Sequence, residues 1–223
     1  ILKNLYRFYK QINYYSYMIK QKNSSLNCKN FYINYNNALS KILKDKHFKE
    51  LEKITIFLEK NIFGNKKIFV CGNGGSASVA NHFLCDFNKG IKETTGKKLI
   101  PKVVSLTNSV ELITAIANDL DYSKIFEYQL ENLSNKGDIL LIISCSGKSK
   151  NIINAAKYAK KNKLNIISLI GFGKNSFLIN SSKFYINLQT NNYGLTEDIF
   201  QSIMHMLSQY LRIKYSNKKV KIL

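Results

Sequence analysis

The chain has 223 residues, with 34 lysines and arginines against 14 acidic residues and a formal net charge of +20. That length can bury a full core and suits one large domain, or a domain with a helical extension. It contains no run of eighteen apolar residues and no basic-then-apolar leader, so neither membrane spanning nor secretion is expected. Cys28, Cys71, Cys85 and Cys145 show no CxxC spacing and no histidine-paired zinc signature, which points to reduced thiols and a cytoplasmic setting. The lysines are scattered through every segment without an arginine block or a basic-aromatic motif, so no specific nucleic-acid partner is expected from the charge.

Residues 1–62 hold no glycine or proline and read as helix, with a break near Asn23 to Asn30. Leu5, Phe8 and Ile12, then Leu39, Ile42 and Leu43, then Leu51, Ile54, Phe57 and Leu58 recur at helical spacing. Such stripes need a partner, either the following domain or another subunit. His47 stands in a charged stretch and is expected to be exposed. Ile68, Phe69 and Val70 form a short buried strand that runs into Gly72, Asn73, Gly74 and Gly75, then Ser76 and a helix to about Asn88. Glycines let the backbone turn sharply and approach a ligand, and a helix start offers unpaired amides and a positive dipole end, so phosphate is the natural guest. The pattern matches neither G-x-G-x-x-G nor the P-loop.

Lys89 to Lys98 is polar and reads as an exposed loop, followed by a strand over Val103 to Leu106 and a helix over Val110 to Ala117 that ends at Asn118 and Asp119. A further helix is expected from Tyr122 to Leu133. The strand Ile139 to Ile143 runs directly into Ser144-Cys145-Ser146-Gly147-Lys148-Ser149 and a helix from Asn151 to Lys161. This is a second turn of small hydroxyl residues at the same end of a parallel strand, where open sheets bind ligands. Strands at Asn165 to Ile170 and Phe184 to Leu188, and a long helix from Thr196 to Ile213, complete the series. The alternation of apolar strands with helices predicts an α/β three-layer sandwich around a five-stranded parallel sheet. Expected divisions are residues 1–62 as a helical extension, 63–216 as the α/β domain and 217–223 as a basic tail.

His82 and Asp86 lie four apart and share a helix face; Glu197, Gln201 and His205 do the same on the last helix. A histidine near carboxylates suits acid-base chemistry or one metal ion, though each group also reads as a surface pair or a satisfied core residue.

The segments VCGNGGSASVANHF, VVSLTNSVELITAIAND, DILLIISCSGKSKNI and NNYGLTEDIFQSIMHMLSQYLR resemble, in order, the signature regions of the sugar isomerase (SIS) superfamily, and within it the phosphoheptose isomerases. The likeness runs from about Phe31 to Arg212. It implies a homotetramer with active sites between subunits, converting sedoheptulose 7-phosphate to D-glycero-D-manno-heptose 7-phosphate for lipopolysaccharide or capsule heptose. It further implies that Ser76, Ser144, Ser146 and Ser149 bind the phosphate, with Asn73 and Gly74 shaping the turn, and that Asn118 and Asp119 contact the substrate. Asp86 and His205 would be the acid-base pair, His82, Asp86, Glu197 and His205 the zinc ligands, and Glu197 would also touch substrate. Three positions depart from the family pattern: Asp86 stands where glutamate is usual, Glu197 where glutamine is frequent, and Ala77 where many members carry histidine. A non-catalytic phosphosugar-binding or protein-bridging module of the same superfamily, and a nucleic-acid binder driven by charge, are the competing readings.

Overall fold

The structure is a computed structural model that describes residues 27–172 and 176–216. The chain divides into two compact units, residues 1–38 and 39–223. A first helix, α1 (Cys28–Ile42), crosses that boundary. Within the first unit its residues Phe31, Tyr32 and Ile33 are exposed. It begins inside the stretch expected to break, while the apolar stripe starting at Leu5 lies outside the described residues. A break that the pattern did not suggest falls at Leu43 and Lys44, before α2 (Asp45–Phe63).

The larger unit is built on five parallel strands: β1 (Lys67–Cys71), β2 (Lys102–Ser105), β3 (Ile139–Ser144), β4 (Asn165–Ile170) and β5 (Phe184–Asn187). Their order is β2-β1-β3-β4-β5, and every neighbouring pair is parallel. Strand side chains alternate between faces, and both faces are apolar because both are covered. Ile68, Val70, Ile139, Leu141, Ile167 and Leu169 join a core with α2, α3 (Gly75–Cys85) and α8 (Tyr193–Tyr215). Phe69, Leu140, Ile142 and Ile166 face the other way, toward α4 (Val110–Asp119), α5 (Glu127–Leu133), α6 (Lys150–Lys161) and α7 (Ser176–Ser181). The result is the three-layer α/β sandwich anticipated from the strand-helix alternation.

Several local expectations are corrected. The compact unit that holds the sheet takes in residues from Leu39 onward, and the Leu51, Ile54, Leu58 and Ile62 stripe of α2 packs on one face of the sheet's core. His47 is buried, at 5 % exposure, and its Nδ1 accepts the Lys44 amide at 3.1 Å, closing the first turn of α2. The stretch Lys89 to Lys98 is not an open loop. A π-helical segment, Asp86–Ile91, and a single turn, Lys92–Thr94, continue α3. Buried Gly90, Ile91, Thr95 and Leu99 anchor that continuation, which polarity averaged over the stretch concealed. The helix expected from Tyr122 to Leu133 is divided into a 3-10 turn, Tyr122–Lys124, and α5, with Ile125 and Phe126 buried between them. At the last helix, Asn192 accepts the Leu195 amide at 3.0 Å and so starts α8 three residues early.

Candidate functional site

β1 leads through Gly72 and Asn73 into α3, and β3 leads through Cys145 to Ser149 into α6. β1 and β3 are neighbours at the point where the strand order reverses, so both turns open on one crevice at the carboxyl edge of the sheet. Gly74, the N-cap of α3, has φ 57°, a left-handed conformation that glycine adopts without steric cost. The crevice contains a cavity of about 310 Å³ whose walls include Ser76, Ser144, Ser146, Ser149 and Glu197, with Asn73 and Gly74. Ser149 is the N-cap of α6, yet its side chain makes no cap hydrogen bond. Ser144 Oγ accepts the Gly147 amide at 3.0 Å and Ser146 Oγ accepts the Lys148 amide at 3.3 Å. Acting as acceptors there, both hydroxyls keep a proton to donate.

Buried Ser76 lies 3.8 Å from Cys145 Sγ. Burial pushes the Cys145 thiol up to about 11; the Ser76 hydrogen bond opposes this and the Glu197 charge adds to it. Cys145 is therefore a protonated thiol at neutral pH rather than a thiolate nucleophile. Beside the cradle a second cavity, of about 450 Å³, is walled by Asn73, Tyr122, Ser123, Ser149 and Asn151 among others. The Asn73 and Asn151 amides donate to each other at 3.0 and 2.9 Å, and the Tyr122 hydroxyl donates to Asn73 Oδ1 at 3.2 Å. Asn73 is thereby fixed between the two cavities.

The remainder of the site lies along α3. Glu197 meets Gly75, His205 meets His82, and Ser208 meets Asp86. Residue numbers rise together on both helices, so α3 and α8 run side by side in the same direction. His82 Nε2 and His205 Nε2 are 3.1 Å apart, Asp86 Oδ1 is 3.6 Å from His82 Nε2, and Asp86 Oδ2 is 3.9 Å from His205 Nε2. One ligand atom from each of the three lies within 4.8 Å of the others. Two imidazole nitrogens on one tetrahedral zinc stand about 3.3 Å apart for Zn–N bonds of roughly 2.0–2.1 Å. With one carboxylate as third donor and a fourth position left for substrate, the donor set fits a divalent ion. Asp86 opens the π-helical segment, a local widening of the helix that recurs at functional sites. Fully buried Ser208 donates to Asp86 Oδ2 at 2.9 Å, and Gln201 Nε2 is 3.1 Å from His205 Nε2.

The SIS domain family matches residues 31–171. The chain is 32% identical over 163 residues to the phosphoheptose isomerase of Colwellia psychrerythraea, covering 72% of this chain and 82% of that protein. The chain belongs to the phosphoheptose isomerase family of SIS-domain proteins. Among solved structures, the phosphoheptose isomerase of Neisseria gonorrhoeae superposes with a TM-score of 0.66 at 27% identity, over 80% of this chain and 91% of that one. The enzyme of Francisella tularensis shares the fold, with a TM-score of 0.71 at 24% identity over 83% and 98% of the two chains.

Within this family member, the fold gathers Asn73, Gly74, Ser76, Ser144, Ser146, Ser149 and Glu197 at the first cavity and His82, Asp86 and His205 at the cluster. Glu197 does not join the cluster. It stands eight residues before His205, about 12 Å along the helix axis, and faces Gly75 instead. Asn118 and Asp119 are exposed at the end of α4, where the Asn118 amide donates to Asp119 at 2.9 Å; Tyr122 rather than either of them reaches Asn73. Ser208, Asn151 and Tyr122 were not singled out from the sequence. Ser208 had a faint signal, being a lone hydroxyl within the buried stripe of Met204, Leu207 and Leu211.

Proposed function

We propose that the protein interconverts sedoheptulose 7-phosphate and D-glycero-D-manno-heptose 7-phosphate by moving a proton between C1 and C2 through an enediol, in the supply of heptose for lipopolysaccharide or capsule. One observation carries the reading beyond family membership: the parallel run of α3 and α8 links the hydroxyl-lined cavity to the His82, Asp86 and His205 cluster. From Gly75 to His82 the helix advances seven residues, about 10 Å. A heptose chain extended from its phosphorus to C2 spans roughly 8–9 Å at about 1.2 Å per bond. With the phosphate at the cradle, the reacting carbons reach the cluster.

Ser76, Ser144, Ser146 and Ser149 donate hydrogen bonds to the phosphate, and the first amides of α3 supply the positive dipole end. The fixed phosphate converts a loose encounter into an oriented one. Asp86 and His205 are the acid-base pair: a proton leaves C1 and one is delivered to C2, while a proton passes between the two oxygens. His82 orients His205. Zinc held by His82 and one Asp86 oxygen would polarise the substrate carbonyl and leave His205 Nε2 and the second Asp86 oxygen to move the protons. Exposed Phe48, Ile56, Phe63 and Tyr210 support assembly of copies into a homotetramer.

Incubation with sedoheptulose 7-phosphate, with and without added zinc, tests the reading. Formation of the aldose phosphate is expected. Tight binding of the ester with no aldose formed under either condition would favour a phosphosugar-binding module.

A further inference from the structure

The proposed phosphate cradle already contains a carboxylate of the protein's own. Glu197, in the first turns of α8, leans over Gly75 so closely that a Cβ at that position would run into both carboxylate oxygens and Cδ. Gly75 is the first residue of α3, at the positive end of the helix dipole, and the next three amides, of Ser76, Ala77 and Ser78, donate to the Asn73 and Gly74 carbonyls. The neutral thiol of Cys145 directs its proton to Glu197 Oε1 at 3.8 Å, and Glu197 lines the same 310 Å³ cavity as the four serines. A phosphate ester bearing between one and two negative charges, placed in that volume, would stand beside a carboxylate with no cationic side chain among the described residues of the cavity wall to separate them.

We propose that Glu197 is a resident competitor for the phosphate group rather than a ligand of it. In the empty site its carboxylate stands over the helix start that a phosphate will use. When the ester arrives, the same charge opposes it, so Glu197 weakens the hold on phosphate and speeds its exchange. The glycine at 75 is what admits the carboxylate to this position, since any side chain there would exclude it. Among the described residues the other side chains of this wall are hydroxyls, a thiol, a tyrosine and an amide, and Lys150 lines the adjoining cavity instead. Glu197 is thus a determinant of specificity that acts by charge. Its effect has the opposite sign from that of the serines: removing a serine hydroxyl weakens phosphate binding, whereas removing the Glu197 charge strengthens it.

The inference rests on the cavity being the phosphate cradle, and the test separates the two. Inorganic phosphate is titrated calorimetrically into the full chain, the isosteric Glu197→Gln variant and the charge-conserving Glu197→Asp variant, at fixed pH and at low and high salt. Glu197→Gln is expected to bind phosphate at least 10-fold tighter than the parent, with the gain shrinking at high salt, and Glu197→Asp to stay near the parent. Thermal melts supply a second measurement: without phosphate Glu197→Gln should melt slightly lower, having lost its anion at the α3 start, and phosphate should raise its Tm by more than it raises the parent's. Equal or weaker phosphate binding by a folded Glu197→Gln would overturn the competitor role while leaving the cradle intact. Failure of phosphate to bind any of the three proteins would overturn the cradle as well.

Discussion

The two ends of the α3/α8 strip are built on different principles. At the proposed cradle the groups lining the cavity are mainly short hydroxyls set by two strand-to-helix turns, and their positions follow from the sheet itself. At the cluster end they are single side chains from helices more than a hundred residues apart, placed by packing and by one buried hydroxyl. Many small donors share the work at the first end, so it degrades by steps. The second depends on a few atoms and fails at once.

The largest effect is therefore expected at the cluster. His205→Ala should lower turnover by roughly 10²–10⁴-fold, the usual range for a lost acid-base group, and leave phosphate binding close to the parent. A loss shared equally by turnover and phosphate binding would erase the distinction between the two ends. Ser149→Ala should act in the reverse sense, raising KM by about 10- to 100-fold through loss of one hydrogen bond to a charged group, with kcat little changed. Ser208→Ala, which removes the 2.9 Å support of Asp86, should weaken zinc binding by about 10- to 100-fold in a competition titration, while phosphate affinity stays put.

The smallest effect lies outside the strip. Burial lowers the His47 pKa below 6.5, with Lys46 and Lys44 adding to this and the Asn187 backbone carbonyl opposing it. The unfolded chain then binds the proton more readily, so the neutral ring's stability contribution is present above about pH 6.5 and declines as pH falls through the folded-state value. A Tm series from pH 7.5 downward should show this decline, and His47→Gln should flatten it. An unchanged slope would mean that His47 contributes nothing to the acid limb.

This contrast also explains what the sequence made legible. Strands are short, apolar and bounded by turn residues, so β3 and β4 were located within a residue and both turns were placed at the carboxyl end of parallel strands, whereas the meeting of β1 and β3 at one crevice is set by the sheet order. The cradle serines lie within those turns and were readable with them. The cluster was readable only as two separate i,i+4 pairs, because spacing reports a shared helix face and not which faces meet. Within one chain two turns separate Glu197 from His205, and α8 runs parallel to α3, so Glu197 reaches the start of α3 while His205 reaches its middle, a placement that spacing does not report. Ser208 and Asn151 were silent for a related reason, since a lone buried hydroxyl or amide acquires meaning only from the partner that tertiary packing brings to it. His47 was misread because its charged neighbours describe the exposed side of α2, whereas its own ring turns back to the Lys44 amide.

Chain length tests the two-ended site most directly. Steady-state turnover of a series of ketose phosphates, with five, six and seven carbons and the phosphate on the terminal carbon, measures whether the cradle and the cluster act across one fixed span. kcat/KM should rise steeply with each carbon and be highest for sedoheptulose 7-phosphate, because only that chain places C1 and C2 at His82, Asp86 and His205 while the phosphate stays among the serines. Equal kcat/KM for the five-carbon and seven-carbon esters would contradict it.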